Sequence, residues 1–374
     1  MNISSKDRKI FRDIARRIAE IADDPVMASR RKRWIEHNTL RSKYPMMLVF
    51  PEGGWKELIR PDSLQCSERD TRIMETRLRR AVYIFEHFHD DTVVDKTFFV
   101  EKVVEQSSWG LEPKWIFSEQ SDGARHFDPV ILEPSDLKKL KYPEVTYDEK
   151  ASIQKLSEMQ DLFGDILTVK LSGIKRISYH LMKQYTYLRG LEEMMVDMYS
   201  EPQMIHDAMA FFEEGHRRIL KQYLDMNLLA FNNDNTYHNS GGNGYSDELP
   251  LKDADPNRVR PKDTWCSAES QEMAQVSPEH HAEFVLQYEK RLLEPFGLNG
   301  YGCCEDLTKK LDLVFTIPNI RRISISPWAN VDVCAEKLRG KYIFSWKPNP
   351  AHLVGNFKSE DIRSYVRHTV EVTK

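Results

Sequence analysis

Apolar residues in the first forty positions recur at the spacing of a helix face. Ile10, Phe11, Ile14, Ile18 and Ile21 fall one, three and four residues apart with charges between them, which predicts helix over 6–39. Pro45 ends that stretch. The apolar run MMLVF at 46–50 then reads as a buried strand entering the glycine turn PEGGW. Helical pattern returns at 70–90, TFFVEKVV at 97–104 is strand-like, and DILTVKLSG at 165–173 is β-rich and ends on glycine. Between them, Pro113, Pro129, Pro134 and Pro143 mark 109–150 as an irregular excursion. Helix follows over 176–198. Another begins after Ser200, which is placed to cap it, with Pro202 in the first turn.

LLAFNND at 228–234 reads as a strand ending in three polar side chains. The polar, glycine-rich stretch 235–250 reads as a lid or substrate loop. TWCSAESQE at 264–272 is a short extended piece, and 277–297 is a helix with Ser277 as cap and Pro278 in its first turn. Strands are expected again at 298–303, 321–326 and 342–346. Seven strand candidates alternating with helices predict an α/β fold of the TIM-like (β/α)8 barrel type rather than an open sheet. PEGGWK lacks the glycine spacing of a dinucleotide-binding turn. The count stops at seven, so the expectation is a helical extension over 1–43 and a barrel domain over 44–374 whose eighth strand is missing at the C-terminus.

Composition narrows the classes of function. The chain has 374 residues, 40% hydrophobic and 30% charged, with a formal net charge of −4. That balance carries no global attraction for nucleic acid or an anionic membrane. The basic run Arg30–Arg33 sits among helix formers and reads as a solvated helix face. No apolar run reaches the length of a membrane span, and the N-terminus lacks a signal-peptide core. Five irregularly spaced cysteines argue against a disulfide framework. The resulting expectation is a reduced, cytoplasmic protein, with its oligomeric state open.

In a barrel of this kind the reacting groups stand at the carboxyl ends of the strands. The candidates there are Glu101; Asn232, Asn233 and Asp234; His238 and Tyr245 in the glycine-rich loop; Glu269 and Glu272; Cys303 and Cys304; Trp328; and Lys347 and Asn349. Glu269 and Glu272 are expected to face a cavity and, with Glu101, to be the catalytic groups. The asparagines, Asp234, His238, Tyr245, Trp328, Lys347 and Asn349 would orient a substrate. Cys303 and Cys304 could hold a metal or could be packed core residues; no zinc spacing of the C-x2-C kind accompanies them. His280 and His281, near a helix start, read as surface residues.

The runs VSPEHHAEFVLQYEKRLLEPFGLNGYGCCEDL, IRRISISPWANVDV and SWKPNPAHL, with LRGLEEMMVDMYSEPQMIH and SGGNGYSDELP, resemble the uroporphyrinogen decarboxylase-like superfamily, in the branch near bacterial corrinoid-dependent methyltransferases. The resemblance implies a barrel with its pocket at the carboxyl-end mouth. It further implies transfer of a methyl group between a small methylated donor and a corrinoid carried on a separate protein. Cys303 matches the cysteine of the zinc-binding H-x-C motif of such enzymes, with Tyr301 at the histidine position, so zinc is the implied metal. Its further ligands would come from groups such as Glu101, Glu269 or His238. The alternative is a metal-free decarboxylase of a carboxylated pyrrole or other acid, with Arg321, Arg322 and Lys347 as a cationic clamp. A barrel retained only to bind a protein partner is the third reading.

Overall fold

The computed structural model describes residues 3–119, 123, 126–355 and 357–374. The chain forms two compact units. An N-terminal unit comprises 1–103, 147–174 and 245–247, and a C-terminal unit comprises 104–146, 175–244 and 248–374. The units therefore cut across the boundary at 43/44 expected from sequence.

In the N-terminal unit the predicted first helix is two. α1 (Ser5–Ala22) is capped by Ser4, whose hydroxyl accepts from the Asp7 N–H at 3.1 Å. α2 (Pro25–Asn38) is capped by Asp24, which accepts from the Val26 N–H at 2.8 Å. The break falls at Asp23–Asp24 because a capping aspartate followed by proline at N1 starts a new helix. Arg30–Arg33 is not a solvated face. Arg30 is buried and donates to Thr92 O, while Arg31 and Arg33 pair with Asp95 and Asp91. β1 (Thr97–Glu101) and β2 (Thr168–Ser172) form a parallel pair, Thr97 opposite Thr168 and Glu101 opposite Ser172. α3 (Arg69–Tyr83) and α4 (Glu149–Phe163) complete the unit. Its core is Phe11, Ile21, Met27, Trp34, Phe98 and Phe163 with their neighbours.

The run 46–50 is not a strand. Met47 and Phe50 are more than half exposed. The N–H groups of Met47 and Val49 bond to the carboxylates of Asp91 and Asp90 at 2.8 and 2.9 Å rather than to a neighbouring strand. Side-chain acceptors substitute for a ladder, so an apolar run alone does not make a sheet member.

The C-terminal unit carries a five-stranded, fully parallel sheet. Its strands are β3 (Ser178–Tyr179), β4 (Trp265–Ala268), β5 (Leu298–Tyr301), β6 (Ile320–Ile325) and β7 (Ile343–Trp346), neighbouring one another in chain order. All residues of β4 and β5 are buried, as a parallel sheet with covered faces requires. α5 (Leu181–Arg189) and α6 (Leu191–Ser200) are separated at Gly190, whose φ of +101° ends the first helix. α7 (Pro202–Asp225) follows. Ser200 does not cap it; its hydroxyl donates back to Val196 O. α8 spans 278–293, with Ser277 capping as expected and a π turn at Ala282–Leu286. α9 (Val331–Leu338) and α10 (Ser359–Val372) close the chain. The core is built from α5, α7, α8 and the sheet, through Tyr185, Met209, Phe212, Phe284 and Ile323 among others.

Two further expectations change here. Within 109–150, Lys114–Ile116 pairs antiparallel with His126–Asp128. Residues 228–233 form no strand of the sheet; side chains bridge there instead, as described below. Among the described residues the strands fall into one five-stranded and three two-stranded sheets, none of which closes on itself. The fold is α/β with parallel sheets. No helix of the described residues is long and apolar enough to cross a membrane.

Candidate active site

The carboxyl ends of β3, β4, β5 and β7 each deliver an ionisable side chain within two residues of the last sheet residue: His180, Glu269, Cys303 and Lys347. After Tyr301 the chain turns at Gly302, φ +89°. A Cβ there would approach Leu307 Cδ1 to 2.7 Å, so the turn that presents Cys303 depends on glycine.

The backbone of Cys303 is held from both sides. Its N–H donates to Glu305 Oε2 at 2.8 Å, and its carbonyl accepts from Ser324 Oγ at 2.9 Å and Lys347 Nζ at 3.2 Å. Lys347 also bonds to Ser324 Oγ. The thiol lies against the carboxylate of Glu269. On its other side Glu269 meets His180, with Oε1 2.8 Å from Nδ1. The Asn239 amide stands 3.3 Å from His180 Nε2, and the short approach of Nδ1 to Glu269 is not a well-directed hydrogen bond. Glu269 Oε2 is buried without a well-directed hydrogen bond.

The carboxyls here are driven apart in proton affinity. Burial works to raise Glu269, but His180 and the Cys303 thiol, helped by Lys183, outweigh it and hold the group below its ordinary value. Burial lifts Glu272 above the ordinary value, and the charges of Glu269 and Glu305 add to the effect. Glu305 is raised by burial although its own, Cys303 and Ser270 N–H groups oppose it. Burial pushes the Cys303 thiol up, Glu269 reinforces this, and Lys347 works against it.

Behind the site lies a hydrogen-bonded group that the sequence did not reveal. Ser270 Oγ donates to Glu289 Oε1 at 3.0 Å, Tyr301 OH donates to Glu289 Oε2 at 2.8 Å, and His281 Nε2 stands 2.8 Å from Tyr301 OH. Since the phenol donates to Glu289, it accepts from His281. Ser270 N–H reaches Glu305 Oε1 at 3.2 Å and so ties this group to the Cys303 turn. His281 is buried, not on the surface as its helix-start position suggested. In a regular helix His281 and Glu289, eight apart, would diverge by about 80°. The π turn between them adds one residue and brings both onto the face that meets Tyr301.

Of the residues expected at the site, Glu269, Glu272, Cys303, Cys304 and Lys347 cluster there. Cys304 is exposed, its Sγ 3.6 Å from that of Cys303. The others do different work. Asn232 donates to Lys175 O and Trp265 O at 2.8 and 2.9 Å and accepts from Trp265 N–H at 2.9 Å, replacing a strand at this edge. Asn233 donates to Leu249 O. Asp234 pairs with Lys175 and accepts from Thr236. The stretch 235–244 is packed rather than an open lid: His238, Ser240 and Asn243 are buried. His238 lies 5.7 Å from the Trp265 ring, and burial, with Arg322, depresses its pKa to about 3. Its Nε2 is buried without a hydrogen-bond partner among the described residues. Tyr245 belongs to the N-terminal unit, where its OH donates to Asp95 at 2.8 Å. Glu101 is exposed in that unit, at the end of β1, and the site described here is confined to the C-terminal unit. Trp328 is 69% exposed, and Asn349 caps the following turn through the Ala351 N–H.

Sequence reasoning missed His180 because β3 has only two residues, too few for an alternation to register. Among the described residues no group of three or more His, Cys, Asp and Glu side chains is arranged to hold a metal ion. Cys303 and Cys304 alone fall short of a four-ligand zinc set, so no step below runs through zinc.

The fold and site define a class: an α/β protein with an acid–base and thiol cluster at the carboxyl ends of parallel strands. Compared with protein-family models, curated proteins and solved structures, the chain gives no match.

Proposed function

We propose that the chain is a methyltransferase of the uroporphyrinogen decarboxylase-like superfamily, moving a methyl group between a small oxygen- or nitrogen-methylated donor and a corrinoid on a separate protein. The observation that carries this reading is the opposite displacement of Glu269 and Glu272. One carboxyl is displaced below its ordinary value and its neighbour above it, the direction of separation that divides an acid from a base at one site. Breaking a methyl–oxygen or methyl–nitrogen bond leaves an anion on the heteroatom, and the proton it needs comes from Glu272. The corrinoid, when delivered, supplies the nucleophile that takes the methyl carbon. Glu269, oriented by His180, accepts a hydrogen bond from the donor or its conjugate partner through Oε2. Lys347 and Glu305 hold the Cys303 turn against it.

We infer a divergent barrel as the architecture behind this activity. A doubly wound sheet reverses its strand order at a switch point, whereas β3 to β7 run in unbroken chain order, as in a singly wound barrel. The decarboxylase reading has no observation in its favour. Arg321 pairs with Glu248, Arg322 is buried against the Trp265 ring and Asn243 O, and Lys347 holds Cys303 O.

The test is methyl transfer to reduced free cobalamin from a panel of methoxy- and N-methyl compounds, followed by the cobalamin spectrum. Glu272→Gln should lower turnover by about 10²- to 10⁴-fold, least for donors whose leaving group is already acidic. Absence of transfer from every donor with the unaltered protein refutes the reading, as does full turnover in Glu272→Gln.

A further inference from the structure

The arginines of the N-terminal unit follow a habit. Arg8, Arg12, Arg17, Arg31, Arg33 and Arg79 each face an aspartate or glutamate within 2.8 Å. Four arginines of α3 break it. Arg69, Arg72, Arg77 and Arg80 have no ion-pair partner among the described residues. At 3.6 residues per turn they fall, with Ile73 and Thr76, inside one arc of about 140° running about 16 Å along the helix. The opposite face, Thr71, Glu75 and Leu78, is buried.

These side chains line a groove of about 710 Å³ with Pro61 and Leu64, and no acidic residue contributes to its wall. Three of the guanidinium groups are held in place by neutral partners. Arg72 donates to Cys66 O at 3.1 Å and Pro61 O at 2.6 Å. Arg77 lies over the Phe98 ring at 4.8 Å and donates to Phe99 O, and Arg80 lies over the Trp55 ring at 5.0 Å. Carbonyls and ring faces fix a guanidinium without neutralising it, so the groove keeps its charge and its geometry together.

We propose that this groove binds an organic phosphate: a diphosphate or longer phosphate group carried on an apolar or aromatic body. Four cations in one groove, three of them fixed, call for a multiply charged ligand, since a single carboxylate would leave three uncompensated. The guanidinium fork matches phosphate oxygens two at a time. Leu64 and Ile73, the latter 60% exposed, give the ligand's uncharged body an apolar floor. The groove volume is that of a small-molecule site. This site lies in the N-terminal unit and stands independently of the methyl-transfer reading.

The experiment is calorimetric titration of the full-length protein with adenosine diphosphate at about 0.1 M salt, where distant surface charges are screened. Saturable binding is expected, with adenosine not binding and inorganic phosphate and citrate binding more weakly. Arg69→Gln/Arg80→Gln, which alters two exposed positions, should weaken adenosine diphosphate at least about tenfold with an unchanged urea midpoint. Arg77→Gln should weaken it independently, which guards against a fold defect in the double variant. The proposal is overturned if adenosine diphosphate does not bind saturably, if either variant keeps full affinity, or if citrate binds more tightly than the nucleotide. Capture by phosphatidylglycerol vesicles without binding of free adenosine diphosphate also overturns it, because the phosphate would then belong to a lipid surface.

Discussion

Replacing Glu269 by glutamine should make the Cys303 thiol markedly more reactive. Cys303 is raised by burial first and by the Glu269 carboxylate second, with Lys347 opposing. A thiolate beside a carboxylate, two unit charges about 4 Å apart, costs about 4 kcal/mol at an effective dielectric near 20. Cys303 is only partly buried, so solvent screening reduces the effect to about 2 kcal/mol, or about 30-fold in thiolate population. Alkylation proceeds through the thiolate. The rate of iodoacetamide labelling at Cys303, followed peptide by peptide at pH 8, should therefore rise by one to two orders of magnitude in Glu269→Gln. Lys347→Met should move it the other way. Exposed Cys304 serves as an internal reference and should label faster than Cys303 in the unaltered protein. If Cys303 labels as fast as Cys304 from the start, or if Glu269→Gln leaves its rate unchanged, the carboxylate does not face the thiol and the site is wrongly assembled.

Three further outcomes are expected. Asn232→Ala should destabilise the C-terminal unit by about 4 kcal/mol, since it leaves Lys175 O, Trp265 O and Trp265 N–H unpaired, whereas Asn233→Ala, with one bond, should cost about 1 kcal/mol; urea midpoints decide between them. Tyr301→Phe removes the hydroxyl that joins His281 to Glu289 and should cost about 3 kcal/mol by the same measure. Burial, then Lys310, depresses His281 to about 3 from its ordinary 6.5. The unfolded chain therefore binds a proton between those values that the native protein does not, so this contribution is present above pH 6.5 and is lost as the pH falls toward 3. Glu272, Glu289 and Glu305 are raised and act oppositely, stabilising below about 4.5 and losing that contribution as the pH rises. Between pH 4.5 and 3.5 His281→Gln should lower the slope of stability against pH by about 1 kcal/mol per pH unit relative to the unaltered protein.

The parts of this structure readable from sequence are those in which burial and local chemistry agree. β1, β2, β5, β6 and β7 match apolar or β-branched runs bounded by turns, and the Ser277–Pro278 helix start has both of its signals. The failures have physical causes. At 46–50 an apolar run has its N–H groups taken by Asp90 and Asp91, which no periodicity reports. At 228–233 a polar side chain, Asn232, does by hydrogen bonding what a strand would do by ladder. Residues 264–272, read only as a short extended piece, hold the interior strand β4. In the site, Glu269, Glu272 and Cys303 were legible because they directly follow short extended runs. His180 follows a two-residue strand, and His281 and Glu289 meet only because a π turn shifts the helix phase. Such a phase shift is invisible to any count at regular helical spacing.

The arrangement of the four carboxyls bears on why their proton affinities are displaced in opposite directions side by side. Glu289 and Glu305 are the most deeply buried, and the nearby donors are spent on them: Ser270, Tyr301 and the Cys303 N–H. Their demand leaves Glu272 with few donors in the same low-dielectric setting, so burial and its anionic neighbours lift it. Glu269 escapes because His180 comes from a different strand end. The opposite displacement of Glu269 and Glu272 therefore rests on which strand supplies the compensating partner, not on the carboxyl groups themselves. Moving that partner should move the displacement: His180→Leu would strip Glu269 of its largest favourable partner and raise it toward Glu272. The opposed displacement of Glu269 and Glu272 would collapse while every carboxyl stayed in place.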